Sequence, residues 1–435
     1  MTRRLRIFRF CLIGLALVLC VQSGVLAGRT YFDPSVSLSG AYTDNVNFID
    51  FSGSSVGGGA NFAADTIIRA GVHLPVTRET RTGSFGFRYD AAYSTYNKNR
   101  DLSNLMHLVN FDFNTDFRRG GSLSLGGFYS RSQDQGIPRT IQDPELFLTA
   151  RTNREFYGAR IGYSKSLPRW NWGVTIRGGE TRFDPIGDSS TDDPVPPDLD
   201  PSDLALIPEG RTYADTTFTV SRNVSRRASV GVDYRYRWID LNRGGTETGH
   251  GLRATFGWTF SKSFALRLGV GGFTRERDLP DGVTTLDSTE TGFVWILALD
   301  ITPPIRAIQK GKVVLSFDVG VTPTAGGALE GTSTNSRAAL YLTKGGRITW
   351  WKWGLGTLYT RRDSSFGEGP SYQTWGFDGW LEAYAGEWVA FRLGATWSDQ
   401  TSSSSEVRPA AFTTVYGGLV WYPKGRPTSN PVISE

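Results

Sequence analysis

The chain has 435 residues, with 47 Lys and Arg against 42 Asp and Glu, a formal charge of +5, and only 2 Cys, 2 Met and 3 His. Arg3, Arg4, Arg6 and Arg9 supply four of those charges, so the chain beyond them is close to neutral and gives no reason to expect nucleic acid as a partner. His73, His107 and His250 are too scattered for a zinc site, Cys11 and Cys20 both precede residue 28, and no nucleophile elbow, phosphate loop or dinucleotide fingerprint occurs. The composition therefore points to no enzyme, no cofactor and no metal centre.

In chain order, the first element is a signal peptide over 1–27. The four arginines precede an apolar run from Phe10 to Val21, and Val25-Leu26-Ala27 sets small residues before the cleavage point. Leu19 before Cys20 does not fit a lipid-attachment site. The run is also too short and wrongly flanked for a spanning helix. From there the apolar pattern has period two. Val36, Leu38 and Tyr42 alternate with serines. Phe85, Phe87 and Tyr89 alternate with Gly86, Arg88 and Asp90. Val230, Val232, Tyr234 and Tyr236 alternate with Gly231, Asp233, Arg235 and Arg237. Successive strand side chains point to opposite faces, so one face is apolar and aromatic while the other is charged, hydroxylic and glycine-rich.

This pattern predicts about 18 strands near 34–43, 61–73, 84–96, 104–118, 121–132, 153–166, 169–182, 212–223, 226–239, 250–262, 264–276, 289–302, 312–322, 336–344, 347–361, 372–385, 387–398 and 410–422. Sixteen is the alternative count, because Pro303-Pro304 and the break at Gly345-Gly346 blur two boundaries. Connections alternate between long polar stretches (44–60, 133–152, 183–211, 240–249 and others) and tight turns such as Arg119-Gly120, Leu167-Pro168 and Gly386. Aromatic residues collect at segment ends, as at Tyr31-Phe32, Trp170, Trp350-Trp351 and Trp421-Tyr422. These features specify an all-β fold: a transmembrane antiparallel barrel over 28–422 with short periplasmic turns and long extracellular loops, followed by a periplasmic tail over 423–435. Outer-membrane lipid, lipopolysaccharide and the barrel-assembly machinery are the partners such a chain implies, and the cell outer membrane its location.

A barrel of this size leaves room for water. Parity assigns to its lumen Arg69, Arg88, Arg160, Arg177, Arg235, Arg237, Arg253, Arg267, Arg337 and Arg392, together with Asp65, Asp90, Asp112, Asp116, Asp233, Asp300, Asp318, Asp378 and Glu382. These are the pore-lining candidates. Their signs nearly balance, which suits pairing across strands or a surface over which a polar polymer slides. Inward glycines, including Gly86, Gly126, Gly269 and Gly394, suggest wall curvature. The acidic stretch with Asp192, Asp193, Asp198, Asp200 and Asp203 lacks the spacing of a calcium loop and reads as a solvated loop.

The segment Pro34-Ser35-Val36-Ser37-Leu38-Ser39-Gly40-Ala41-Tyr42-Thr43-Asp44-Asn45-Val46-Asn47 resembles the first strand and loop of the β-barrel porins associated with exopolysaccharide gene clusters. That resemblance implies a conduit for export of a secreted polysaccharide, working with periplasmic polysaccharide-export proteins. The residues themselves leave two alternatives open: a general or solute-specific diffusion porin, and a surface-binding or structural outer-membrane protein.

Overall fold

The computed structural model describes residues 28–44, 64–98, 100, 103–117, 119–132, 152–185, 210–241, 245–261, 263–278, 288–301, 310–321, 332–344, 350–363, 371–402 and 410–423. The expected signal peptide, nearly all of the tail, the acidic stretch and the connections at 302–309 and 345–349 lie outside them.

Among the described residues the strands are β1 (Arg29–Phe32), β2 (Ser35–Thr43), β3 (Asp65–Glu79), β4 (Gly83–Tyr96), β5 (Asn104–Phe117), β6 (Gly121–Ser132), β7 (Thr152–Ser166), β8 (Trp170–Pro185), β9 (Arg211–Asn223) and β10 (Ala228–Leu241). They continue with β11 (Gly245–Ser261), β12 (Phe264–Asp278), β13 (Ser288–Ile301), β14 (Lys310–Val321), β15 (Thr332–Lys344), β16 (Trp351–Asp363), β17 (Tyr372–Ala385), β18 (Val389–Ser402) and β19 (Ala410–Trp421). Each of β2 to β19 pairs antiparallel with its sequence neighbour, and β19 closes on β2 from Thr414↔Thr43 to Trp421↔Val36, making an 18-strand barrel. Closure removes every long unpaired edge, which a bilayer requires because it offers no water to free backbone groups. Asp44 seals the rim of this seam: its carboxylate accepts from the Thr413 amide at 2.7 Å, and its own amide donates to the Thr413 carbonyl at 3.2 Å.

The pleat sorts the side chains. On β2, Val36, Leu38 and Tyr42 are exposed on the outside, while Ser35, Ser37, Ser39 and Thr43 turn inward. The same sorting leaves Leu252, Phe293 and Leu393 among the most exposed large side chains, at 57, 55 and 60 %. In hydrocarbon each such residue gains about 1.5–3 kcal/mol relative to water, so the outside is the lipid-contacting face and the barrel has no central hydrophobic core. Trp170, Trp351, Trp388 and Trp421 stand exposed at the short-turn end, where an interfacial girdle belongs and which is the periplasmic end in outer-membrane barrels. At the opposite rim, outward Arg131 meets Glu155 at 3.8 Å, and Glu180 takes both Arg182 and the Tyr157 hydroxyl. Paired charges end the greasy band there.

Several boundaries differ from the sequence expectation. The expected first strand is preceded by β1, which pairs with the far end of β3 (Arg29↔Glu79 to Phe32↔Val76). Pro34 sits in the gap between β1 and β2. Pro75 sits on β3 opposite that gap, since β2 ends its pairing at His73 and β1 begins at Val76. Lacking an amide hydrogen, Pro75 costs no ladder bond there, so β3 runs through to Glu79 instead of stopping at residue 73. The long connection expected at 240–249 shrinks to 242–244, because β10 and β11 stay paired to Leu241↔Gly245. Tyr422, read as part of the girdle, is instead buried inside against Tyr384, Ala390 and Val420. Gly386 turns β17 into β18 with φ +82°, a left-handed conformation that a side chain resists.

Candidate functional site

The inward face is the one surface of the barrel rich in chemistry. Direct partners across an antiparallel ladder face the same way, and the inward parity runs unbroken round the ring. It carries from Arg69↔Ser94 and Arg88↔Pro75 through Asp112↔Gly126↔Arg160↔Arg177↔Asp215↔Arg237. It continues through Asp233↔Arg253 and Arg267↔Ala298 to Arg337↔Thr360, Asp378↔Thr396 and Glu382↔Arg392. Asp90 faces in opposite His73, and Arg235 opposite Thr217. Asp318 stands on β14 opposite Asn335, with its side chain outside the described ones. The sequence-derived candidates therefore lie on inward positions, but they form a ring of small clusters and not one catalytic constellation.

Most inward acids are met by a base on a neighbouring strand. Asp215 accepts from Arg235 Nε at 2.6 Å and Arg237 Nε at 3.2 Å. Arg253 reaches Asp233 at 3.1 Å and Arg160 reaches Asp112 at 2.7 Å. The last pair spans two strands. Gly126 stands between them on β6, and an added Cβ there would lie 3.2 Å from both Arg160 Nε and Asp112 Oδ1. This inward glycine makes room for an ion pair; curvature is not its reason. Arg88 pairs with Asp90 at 3.2 Å, Arg69 donates to Ser94 Oγ at 2.9 Å, and Arg337 donates to the Tyr341 hydroxyl at 2.8 Å. Among the described residues, Arg177, Arg267 and Asp378 have no ion pair.

On β10–β13 the wall folds round a recess lined by Arg235, Arg237, Arg253, Phe273 and Arg275. Arg275 is nearly fully buried there; its Nε donates to Glu290 at 2.8 Å, and its guanidinium lies 5.7 Å from the Phe273 ring centre.

The candidates omit residues that the geometry makes central. Asp215 escaped because Tyr213-Ala214-Asp215-Thr216-Thr217 is polar on both faces and gives parity little to grip. Arg275 and Glu290 lie near strand ends. Aromatic side chains also occur inside. Phe128 lies over Gly158, Phe273 over Gly292, Trp380 over Gly354 and Tyr416 over Gly394, each glycine directly across on the next strand. The signal for Trp380 was present: it shares the parity of Asp378 and Glu382, not that of Trp375 and Phe377.

A closed barrel with a lipid-compatible outside and a charged, hydroxylic inside defines the class: an outer-membrane β-barrel. No family model matches the chain, and no curated protein matches it. Among solved structures it is similar to OccK9 (OpdG) of Pseudomonas aeruginosa, at TM-score 0.45 and 11 % identity over 90 % of this chain and 98 % of that one. It is similar to OccAB4 of Acinetobacter baumannii at TM-score 0.41 and 10 % identity, over 90 % and 97 %. It is also similar to the FrpB iron transporter of Neisseria meningitidis at TM-score 0.42 and 8 % identity, over 85 % of this chain and 63 % of that one.

Proposed function

We propose that the protein is a diffusion channel for small polar solutes across the outer membrane, in preference to the polysaccharide conduit that its opening segment suggested. The observation that carries this is the lumen wall: acids and arginines paired across strands of β5–β13 and of β17–β18, with serines, threonines and glycines between them. Charges neutralised within the wall neither trap nor strongly reject a passing polar solute, while the wall remains wet. For a circular section, 18 tilted strands spaced about 4.8 Å apart give a backbone diameter on the order of 36 Å, enough for an aqueous passage. The polysaccharide reading rested on Pro34–Asn47. Within that segment Asp44 serves the closing seam, a need of any closed barrel, which points to no cargo. Outer-membrane lipid and lipopolysaccharide are the surroundings this reading requires.

Liposome swelling tests the proposal. Vesicles containing the purified protein should admit pentoses and amino acids, with rates falling as solute size grows. Vesicles that admit none of them, although the protein is folded and inserted, would overturn it.

A further inference from the structure

We infer that the inner face of β16–β19 carries a binding site for a neutral, polyhydroxylated ring of sugar size; this rests on the channel reading above and specifies one solute class for it. One rung of the wall runs Gly354, Trp380, Gly394, Tyr416 and Ala41 across five successive strands. The two aromatic side chains do not point at the barrel axis. Each leans sideways over the glycine of the strand beside it: a methyl added at Gly354 would fall 2.7 Å from Trp380 Cε2, and one at Gly394 would fall 2.7 Å from Tyr416 Cε1. A larger residue at either glycine would lift the ring off the wall. The pair of glycines thus holds two rings along the same rung with their free sides toward the lumen.

Polar groups bracket those rings. One rung toward the long-loop end stand Asp378, Thr396 and Thr414. Thr396 is 94 % buried at 6 % exposure, yet its hydroxyl has no hydrogen-bond partner among the described residues, and the Asp378 carboxylate has no ion pair there. A buried hydroxyl left in this state costs about 1–3 kcal/mol; it is shielded from the lumen, so a solute recovers that cost only where the Thr396 side chain turns toward it. One rung toward the short-turn end, Arg392 Nε donates to Glu382 at 2.9 Å, with about half of the Arg392 side chain open to the lumen.

These groups select a ligand. The aromatic sides cover an apolar C–H surface. Asp378 only accepts hydrogen bonds, Thr396 both gives and accepts, and Arg392 only donates. An anionic solute would face the Asp378 carboxylate, which has no ion pair among the described residues, and a purely apolar one would leave Thr396 and Asp378 unmet. A neutral ring with apolar faces and hydroxyls around its edge meets all of them, as a pyranose does.

The test is ion conduction through the purified protein in a planar bilayer, titrated with maltose as the probe. The expected result is a saturable fall in current. Trp380→Ala should raise the half-saturating maltose concentration about tenfold, the equivalent of roughly 1.4 kcal/mol of lost contact, while the salt conductance stays within twofold. Trp380→Phe keeps a ring over Gly354 and should stay within about threefold of the parent, which separates loss of the site from loss of folding. A conducting channel whose current ignores maltose overturns the inference and leaves the channel reading standing. So does equal block in the parent and Trp380→Ala, or block by succinate without block by maltose. Absence of any conductance in the folded parent overturns both.

Discussion

Val232 and Thr219 sit one rung apart on β10 and β9 but on opposite faces, and they make the sharpest energetic comparison in the barrel. Val232 is 45 % exposed outward, flanked across the ladders by Val220 and Ala254, and the outward Arg222 stands opposite Val230 toward the short-turn end. Thr219 faces inward, directly opposite Asp233. An arginine at the lipid midplane costs about 2–4 kcal/mol in barrels of this kind. Val232→Arg should therefore lower the folding constant by about 30- to 700-fold, at 1.4 kcal/mol per decade. Thr219→Arg puts the same charge into a wet wall beside a carboxylate and should change stability by less than about 1 kcal/mol. Urea titration of folding into phosphatidylcholine vesicles, read by heat-modifiable gel mobility and tryptophan fluorescence, measures both. Equal losses in the two variants, or a Val232→Arg protein as stable as the parent, would refute the assignment of faces.

Asp215→Asn removes the carboxylate shared by Arg235 and Arg237. The channel should then shift toward anions, read as a change in reversal potential in a KCl gradient; an unchanged potential would place these groups off the ion path. Arg392→Met leaves Glu382, whose side chain is only 5 % exposed, with the Tyr384 hydroxyl and with Lys352 across the ladder, and should cost about 1–3 kcal/mol in the same urea titration, below the value for a fully buried pair because Arg392 is half open to the lumen. Gly386→Ala forces a side chain into the left-handed region at the β17–β18 turn and should cost about 1–2 kcal/mol, although nothing lies within 4 Å of the added methyl. A silent substitution would mean that this turn relaxes freely.

The fold was legible in the sequence wherever lipid touches one face and water the other. That contrast wrote Val230, Val232 and Tyr234 against Gly231, Asp233 and Arg235, and it located the strands from β2 to β19. It fades beyond the greasy band. Thr246, Glu247 and Thr248 are polar on both faces, so the upward extension of β10 and β11 left no period to read. The β1–β2 break hid for another reason: Pro34 and Pro75 make sense only once their strands are laid side by side. The lumen was half legible. Charges announced the inward face, but their pairing depends on which strands adjoin, as Arg160 reaching across Gly126 to Asp112 illustrates. Inward aromatics were not foreseen, because a ring is expected in lipid unless a glycine across the ladder gives it room on the wet side.

Residues 217 and 218 test the central claim most directly, since they are adjacent in the chain and the barrel turns Thr217 to the lumen and Phe218 to the outside. On a background with Cys11→Ser and Cys20→Ser, single cysteines at the two positions are exposed in sealed vesicles to a charged, membrane-impermeant methanethiosulfonate and to a lipid-soluble maleimide. Cysteine at 217 should react with the charged reagent and cysteine at 218 only with the lipid-soluble one. The reverse pattern, or both positions reacting alike, would contradict a water-filled barrel in lipid.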